Sequence, residues 1–188
     1  MADLHHLVAA PLDYISDGDA KVRRLAVSAC SGRLDAPAIA ALRKVLSEDD
    51  DARVRAEAAE VLSQAGRAVF GDLIEAISDG DGIVREAAAT GLGEIEDARA
   101  VDWLMSAAQE DSEKLVREAA VAALGAIGDE RAVPLLLELV TSAAPQVRRR
   151  SVVALSVFDG PEVESAITAA KDDRNPMVRE AAQMVFGH

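Results

Sequence analysis

The chain has 188 residues, of which 50% are hydrophobic, and its formal net charge is −13 at pH 7. This charge argues against general binding to nucleic acids or to anionic membranes, because both require a positive surface. A single cysteine, Cys30, excludes an internal disulfide, and its apolar context predicts a buried thiol. Aromatic residues make up only 3% of the chain, so the core must be built from Ala, Val, Leu and Ile.

A Val-Arg pair recurs six times. The pairs begin at Val22, Val54, Val84, Val116, Val147 and Val178, so the intervals between them are 30 to 32 residues. The residues four, seven and eight positions after each valine are small or apolar, and these offsets share one face of an α-helix. A fixed period with helical spacing inside it predicts an all-α fold: an α-solenoid, or right-handed superhelix of about six antiparallel helix pairs.

In chain order, each unit is predicted to hold an outer helix A followed by an inner helix B that starts near the Val-Arg pair. The first helix A spans roughly Leu4 to Ser16, where Pro11 either kinks it or delays its start. One continuous domain, 1–188, is expected. Its approximate units are 1–34, 35–66, 67–97, 98–129, 130–160 and 161–188.

Turn residues mark the starts of the B helices. Asp19, Asp51 and Asp81 are predicted N-caps, and Asn175-Pro176 is a cap followed by proline at the first helical position. In the fifth unit Ala144 replaces the usual cap. In the fourth unit Gly125-Ala126-Ile127-Gly128-Asp129 is interpreted as the turn that follows helix B.

The fourth unit, VREAAVAALGAIGDERAVPLLLEL, resembles the HEAT-repeat superfamily and especially its short phycobilisome-lyase-type HEAT-like repeats. That branch shows an acidic residue, Val-Arg, paired alanines, Leu-Gly and Gly-Asp. The first and fifth units depart from it at 30–32 and 155–157. The resemblance implies a fold shared by scaffolds, adaptors and a few enzymes. It also implies that Arg55, Arg85 and Arg117 join an internal ladder with acidic residues of neighbouring turns.

The resemblance further implies that the B helices line a concave groove. Residues at offsets −1, +3, +6 and +10 from each Val should face it. In the first two units these residues are mainly polar: Lys21, Ser28, Arg53, Glu57, Glu60 and Gln64. From the third unit onwards they are apolar: Ile83, Leu115, Ala119, Ala122, Ala126, Val153, Val157, Met177, Ala181 and Met184.

Charged residues flank this apolar strip. Arg149 and Arg150 lie beside it, and Glu86 and Glu118 at offset +2 could help to select a basic or amphipathic partner. An apolar strip in a groove predicts binding of a partner helix or peptide, and methionines suit an adaptable surface. The alternative is that some of these residues only pack between adjacent helices.

The sequence offers little for catalysis. Its three histidines, His5, His6 and His188, are close to the termini, and no catalytic residue, metal ligand or cofactor is predicted. The resulting hypothesis is a cytoplasmic, non-catalytic adaptor that binds another protein or peptide, with no nucleic acid and no membrane as partner. Apolar residues of the last helix B, including Phe186, would allow a homodimer through the C-terminal repeat, or they would be covered by further repeats if the chain is part of a larger array. The alternative is a lyase-type accessory factor acting on a chromophore- or cofactor-bearing protein.

Overall fold

The computed structural model describes residues 4–186, apart from the side chain of Phe186. The expectations for His188 and for the Phe186 side chain lie outside this part. All regular elements in the described chain are helices. The α-helices are α1 (Leu4–Ala9), α2 (Ala20–Ala29), α3 (Ala36–Glu48), α4 (Ala52–Ser63), α5 (Phe70–Ala76), α6 (Gly82–Glu94), α7 (Val101–Glu110), α8 (Lys114–Ile127), α9 (Val133–Ser142), α10 (Pro145–Leu155), α11 (Pro161–Ala170) and α12 (Pro176–Phe186).

The helices form two compact units, and the boundary between them in the sequence falls between Ile95 and Glu96. From here on, first unit and second unit mean these two parts, and each of the six sequence units is called a repeat. In the first unit the B helices α2, α4 and α6 pack in series, and in the second α8, α10 and α12 do the same. The A helices cover these B helices through residues such as Leu42, Leu104 and Leu136, which are fully buried. The all-α repeat fold predicted from the sequence is confirmed, whereas a single continuous domain of six repeats stays a prediction.

The B helices begin at the predicted caps. The side chains of Asp19, Asp51 and Asp81 each accept a hydrogen bond of 2.8 to 3.0 Å from the backbone N–H two residues further on. Such bonds satisfy donors that the first turn of a helix leaves open. Ala144 makes no side-chain bond of this kind, so α10 starts without a side-chain cap.

Two predicted boundaries are wrong. The first helix A ends at Ala9 instead of Ser16, and a 3-10 helix, Pro11–Tyr14, follows it. Pro11 causes this break, because proline has no N–H and disfavours helical backbone at the residue before it. Accordingly, Ala10 is non-helical, with φ −134° and ψ 68°.

The second correction concerns Gly125, which lies inside α8 and not in a turn. A Cβ atom at this position would stand 2.7 Å from the Cα atom of Ala154 on α10. Gly125 therefore permits close packing of two helices, and the turn begins at Gly128, whose φ of 67° caps the helix in the left-handed region.

The Val-Arg arginines form a repeated set of internal ion pairs, here called the arginine ladder. Arg23, Arg55 and Arg148 each donate from Nε and Nη2 to both carboxylate oxygens of an aspartate in the next repeat, at 2.7 to 2.9 Å. Their partners are Asp49, Asp79 and Asp173. In each case Nη1 donates to a backbone carbonyl in the preceding turn of the same repeat, at 2.8 to 3.0 Å.

The ladder explains the shifted acidities of its aspartates. The Arg55 guanidinium holds the pKa of Asp79 below its usual range, and Arg148 does the same for Asp173. The structural role expected for Arg55 is thus confirmed. Arg85 donates to the carbonyl of Asp79 at 2.9 Å.

Arg117 occupies the ladder position of α8. It donates to the carbonyls of Asp111 and Ser112, but no carboxylate within residues 4–186 receives its Nε and Nη2. The position that should supply this carboxylate is Ala143. The carbonyl of Ala143 accepts from Arg148 in the same way as the carbonyl of the ladder residue Asp49 accepts from Arg55, so the two positions are equivalent. One rung of the ladder is therefore missing.

Candidate protein-binding surface

Most of the predicted apolar strip is exposed on the B helices of the second unit. Leu115 on α8, Val153 on α10, and Met177 and Met184 on α12 are exposed by 55%, 48%, 48% and 67%. Together with exposed Val157 they are called the apolar B face below. Large apolar side chains clustered at the surface cost free energy in water, so such a cluster is typical of a binding surface.

Four of the predicted site residues line one groove between α10 and α12. Arg149, Val153, Met177 and Met184 surround a space of about 580 Å³, within the size range of binding clefts. Ala181 also lines this groove, although its side chain is buried. At that position the neighbouring helix is close, so the packing alternative applies to Ala181.

Further residues of this groove were missed from the sequence. Ser156, Glu180 and Val185 also line it. Glu180 lies at offset +2 of the last repeat, as Glu86 and Glu118 do in theirs. The repeat spacing could therefore have predicted that Glu180 lines the groove.

Arg149 and Arg150 lie half-buried beside the apolar B face. The Nε atom of each is buried and has no hydrogen-bond partner, and neither side chain forms an ion pair within residues 4–186. Glu118 is half-buried on α8, with Oε1 at 3.5 Å from Lys114 Nζ, an ion pair without a hydrogen bond. Ala122, also on α8, is half-buried.

The remaining predicted site residues lie in the first unit. Ile83 is exposed and Glu86 is half-buried, and both line a groove of about 460 Å³ between α4 and α6. Glu60 and Glu94 line the same groove. Burial, together with the neighbouring Glu57, Glu86 and Glu94, raises the pKa of Glu60 above its usual range. The B face between α4 and α6 is therefore acidic, in contrast to the groove between α10 and α12.

One apolar residue of the first unit departs from the mainly polar face predicted there. Leu25 at offset +3 of α2 is exposed by 47%, beside Lys21, Arg24 and Arg53. Charged side chains surround it, so it does not extend into an apolar surface.

The described part also places the residues Cys30 and His6, whose side chains could take part in chemistry. Cys30 is buried, its Sγ lies 3.4 Å from the carbonyl of Ala26, and burial raises the pKa of its thiol. His6 bonds Tyr14 Oη at 2.9 Å. Residues 4–186 contain no group of three or more His, Cys, Asp or Glu arranged to hold a metal ion. None of the helices described is both long and apolar enough to cross a bilayer.

Known structures share this arrangement of helices. The complex of CpcE and CpcF of phycocyanin lyase from Nostoc sp. PCC7120 matches with a TM-score of 0.72 and 22% identity, over 100% of this chain and 77% of that one. A designed armadillo repeat protein in complex with the peptide (KR)4 matches with a TM-score of 0.64 and 17% identity, over 99% of both chains. At these identities the likeness extends to the fold alone.

The sequence matches no curated protein. A family model described as HEAT repeats does match it, over residues 8–69 and 71–156. These two segments span most of the chain and include the Val-Arg pairs from Val22 to Val147. The chain therefore belongs to the HEAT repeat family.

Proposed function

We propose that this protein is a non-catalytic interaction scaffold that binds a segment of a partner protein on the apolar B face of the second unit. The exposure of Val153, Met177 and Met184 around one groove is the observation that carries the proposal. Burying these side chains against a partner would remove apolar surface from water, at a gain of about 25 cal/mol per Å².

The arrangement resembles the way other proteins recognise helices. An amphipathic segment lays apolar side chains into a groove between helices, and flexible methionines adapt to its shape. The peptide-bound armadillo design supports the general principle that a helical repeat protein can bind a peptide.

The direct test is affinity capture from the source lysate with wild-type protein and with a Val153→Glu, Met184→Glu variant. Both changes are at exposed positions, so circular dichroism should show an unchanged fold. A matched control adds the same two charges on A helices, as Gln109→Glu with Thr168→Glu, both exposed.

We expect a partner that is retained by wild type and by the control but lost by the groove variant. Equal recovery with all three proteins would contradict the proposal. The fold shared with the phycocyanin lyase complex motivates the alternative of a lyase-type accessory factor. Co-purification of a coloured ligand with the captured protein would favour this alternative over the scaffold.

A further inference from the structure

Two arginines beside the groove lack acceptors that their neighbours have. Arg148 is fully bonded, to the carboxylate of Asp173 and the carbonyl of Ala143. Arg149 and Arg150 follow it directly, yet the buried Nε atom of each has no partner. A buried donor without an acceptor costs free energy, and no acceptor within residues 4–186 holds either guanidinium, so both groups can turn towards a ligand that supplies one.

The repeat register shows which kind of group is missing. In the first unit, Arg24 at offset +2 of α2 pairs with Glu57 at offset +3 of α4, at 3.9 Å. Arg149 has the same offset on α10, but the corresponding position on α12 is Ala181. The repeat thus lacks the carboxylate that an arginine here has elsewhere in the chain.

Within residues 4–186 no acidic side chain forms an ion pair with Arg149 or Arg150. Residues 139–158 contain three arginines and no acidic residue, in a protein with a net charge of −13. Glu180 lines the groove, and Glu118 on α8 has the offset that faces Arg150, but Glu118 pairs with Lys114 and neither glutamate forms an ion pair with an arginine of α10. This segment is therefore a local positive site beside an apolar groove.

We infer that the partner segment is an acidic amphipathic peptide. Its apolar side chains fill the groove formed by Val153, Met177 and Met184, and its Asp or Glu side chains accept from Arg149 and Arg150. Arginine binds carboxylates through paired hydrogen bonds, which fixes the register of the segment as well as adding affinity. This inference rests on the proposed function, and it specifies the chemistry of the partner.

The test is selection from a display library of amphipathic helical peptides of about 20 residues, which span about 30 Å as helices. The library carries random residues beside a fixed apolar stripe. It is selected on the full wild-type chain, after removal of peptides that bind the Val153→Glu, Met184→Glu variant.

We expect enrichment of Asp and Glu at the positions flanking the apolar stripe. Enrichment of neutral or basic residues there would overturn the inference and leave the proposed function intact. A selection that yields no peptide specific to wild type would contradict both. Sedimentation of the chain alone tests whether a second copy of the chain occupies the groove. If the wild-type chain self-associates and the groove variant does not, the inference is overturned.

A charge exchange tests the arginines themselves. For an enriched peptide, Arg149→Gln with Arg150→Gln should weaken binding by at least about tenfold, as loss of a half-buried charge pair does. Arg149→Glu with Arg150→Glu should then bind the peptide whose acids are replaced by lysine better than the parent peptide. Binding unaffected by these changes would overturn the inference.

Discussion

The two compact units share one framework but present different B faces. Helix α4 of the first and α10 of the second each pack between two other B helices, and both anchor the arginine ladder, through Arg55 and Arg148. Helix α4 carries Glu57 and Glu60 and is followed by Gln64, whereas α10 carries Arg149 and Val153. The same scaffold can therefore carry surfaces of opposite character, since the ladder and the small packing residues do not depend on the exposed positions.

Substitution of two adjacent arginines distinguishes the structural role of the arginine ladder from the role of the apolar B face. Arg148→Met should destabilise the second unit by about 3–5 kcal/mol, because it leaves Asp173 without its partner in a largely buried pair. Arg149→Met, one residue further on, should leave stability unchanged or raise it by up to about 1 kcal/mol, because it removes a buried donor that has no acceptor. Chemical unfolding followed by the fluorescence of Trp103, the only tryptophan and a residue of this unit, measures both.

The pH dependence sharpens this prediction. The pKa of Asp173 is lowered in the folded protein, so its pairing stabilises the fold above the unfolded pKa of about 3.9. That contribution is lost as pH falls through the folded value. The stability difference between wild type and Arg148→Met should shrink below about pH 4, and a difference independent of pH would contradict the ladder account.

Helix spacing gives a second contrast between the units. Gly125→Ala should cost about 1–3 kcal/mol through overpacking, because the new Cβ would meet the Ala154 backbone at 2.7 Å. Gly91→Ala in the first unit should cost less, since its Cβ would meet Ser63 and the flexible Leu73 side chain at 3.1 and 3.2 Å. Thermal melts of the two variants measure the contrast, and equal losses would argue against backbone contact as its cause.

The missing rung of the ladder can be restored. Ala143→Asp should offer Arg117 a carboxylate and add about 0.5–1 kcal/mol, as a partly exposed pair does. Ala144→Asp should add about 1 kcal/mol by capping α10. In the first unit Asp51→Ala, which removes an existing cap, should lower stability by about the same amount. If Arg117→Met removes the gain from Ala143→Asp, the pair is the cause.

The acidic face of the first unit predicts the smallest effect. Glu60→Gln should raise stability at pH 7 by at most a few tenths of a kcal/mol: it removes partial desolvation of the carboxylate and repulsion from neighbouring glutamates, but Glu60 is exposed and solvent screens both effects. The pKa of Glu60 is raised on folding, so its protonated form favours the fold at low pH. The advantage of Gln should therefore vanish as pH falls below the unfolded pKa of about 4.3. NMR titration of Glu60 measures the shift directly.

The sequence predicted the elements that repeat, and it failed where one repeat departs from the others. The Val-Arg register located the B helices, the aspartate caps and the exposed positions of α10 and α12. It misassigned Gly125, because a glycine in a turn and a glycine at a close helix contact look alike without knowledge of the facing Ala154. It did not separate the groove-facing residues that are exposed from those that are buried, such as Ala181, since burial depends on the neighbouring helix.

The candidate site was predictable only in part. Offsets identified Arg149, Val153, Met177 and Met184, because equivalent positions of successive B helices share one face. The lack of a partner for Arg149 was visible in the register, where Ala181 replaces a glutamate, but whether another acceptor reaches Arg149 or Arg150 depends on side-chain geometry across two helices.

Photo-crosslinking at matched offsets tests the central claim most directly. A photoreactive residue replaces Val153 or Met184 in the second unit, or Glu60 in the first; all three lie at offset +6 of their repeats. After irradiation in the source lysate, the account predicts a cross-linked protein partner at Val153 and Met184 and none at Glu60. Equal cross-linking at Glu60, or a partner found only there, would contradict the assignment of binding to the apolar B face.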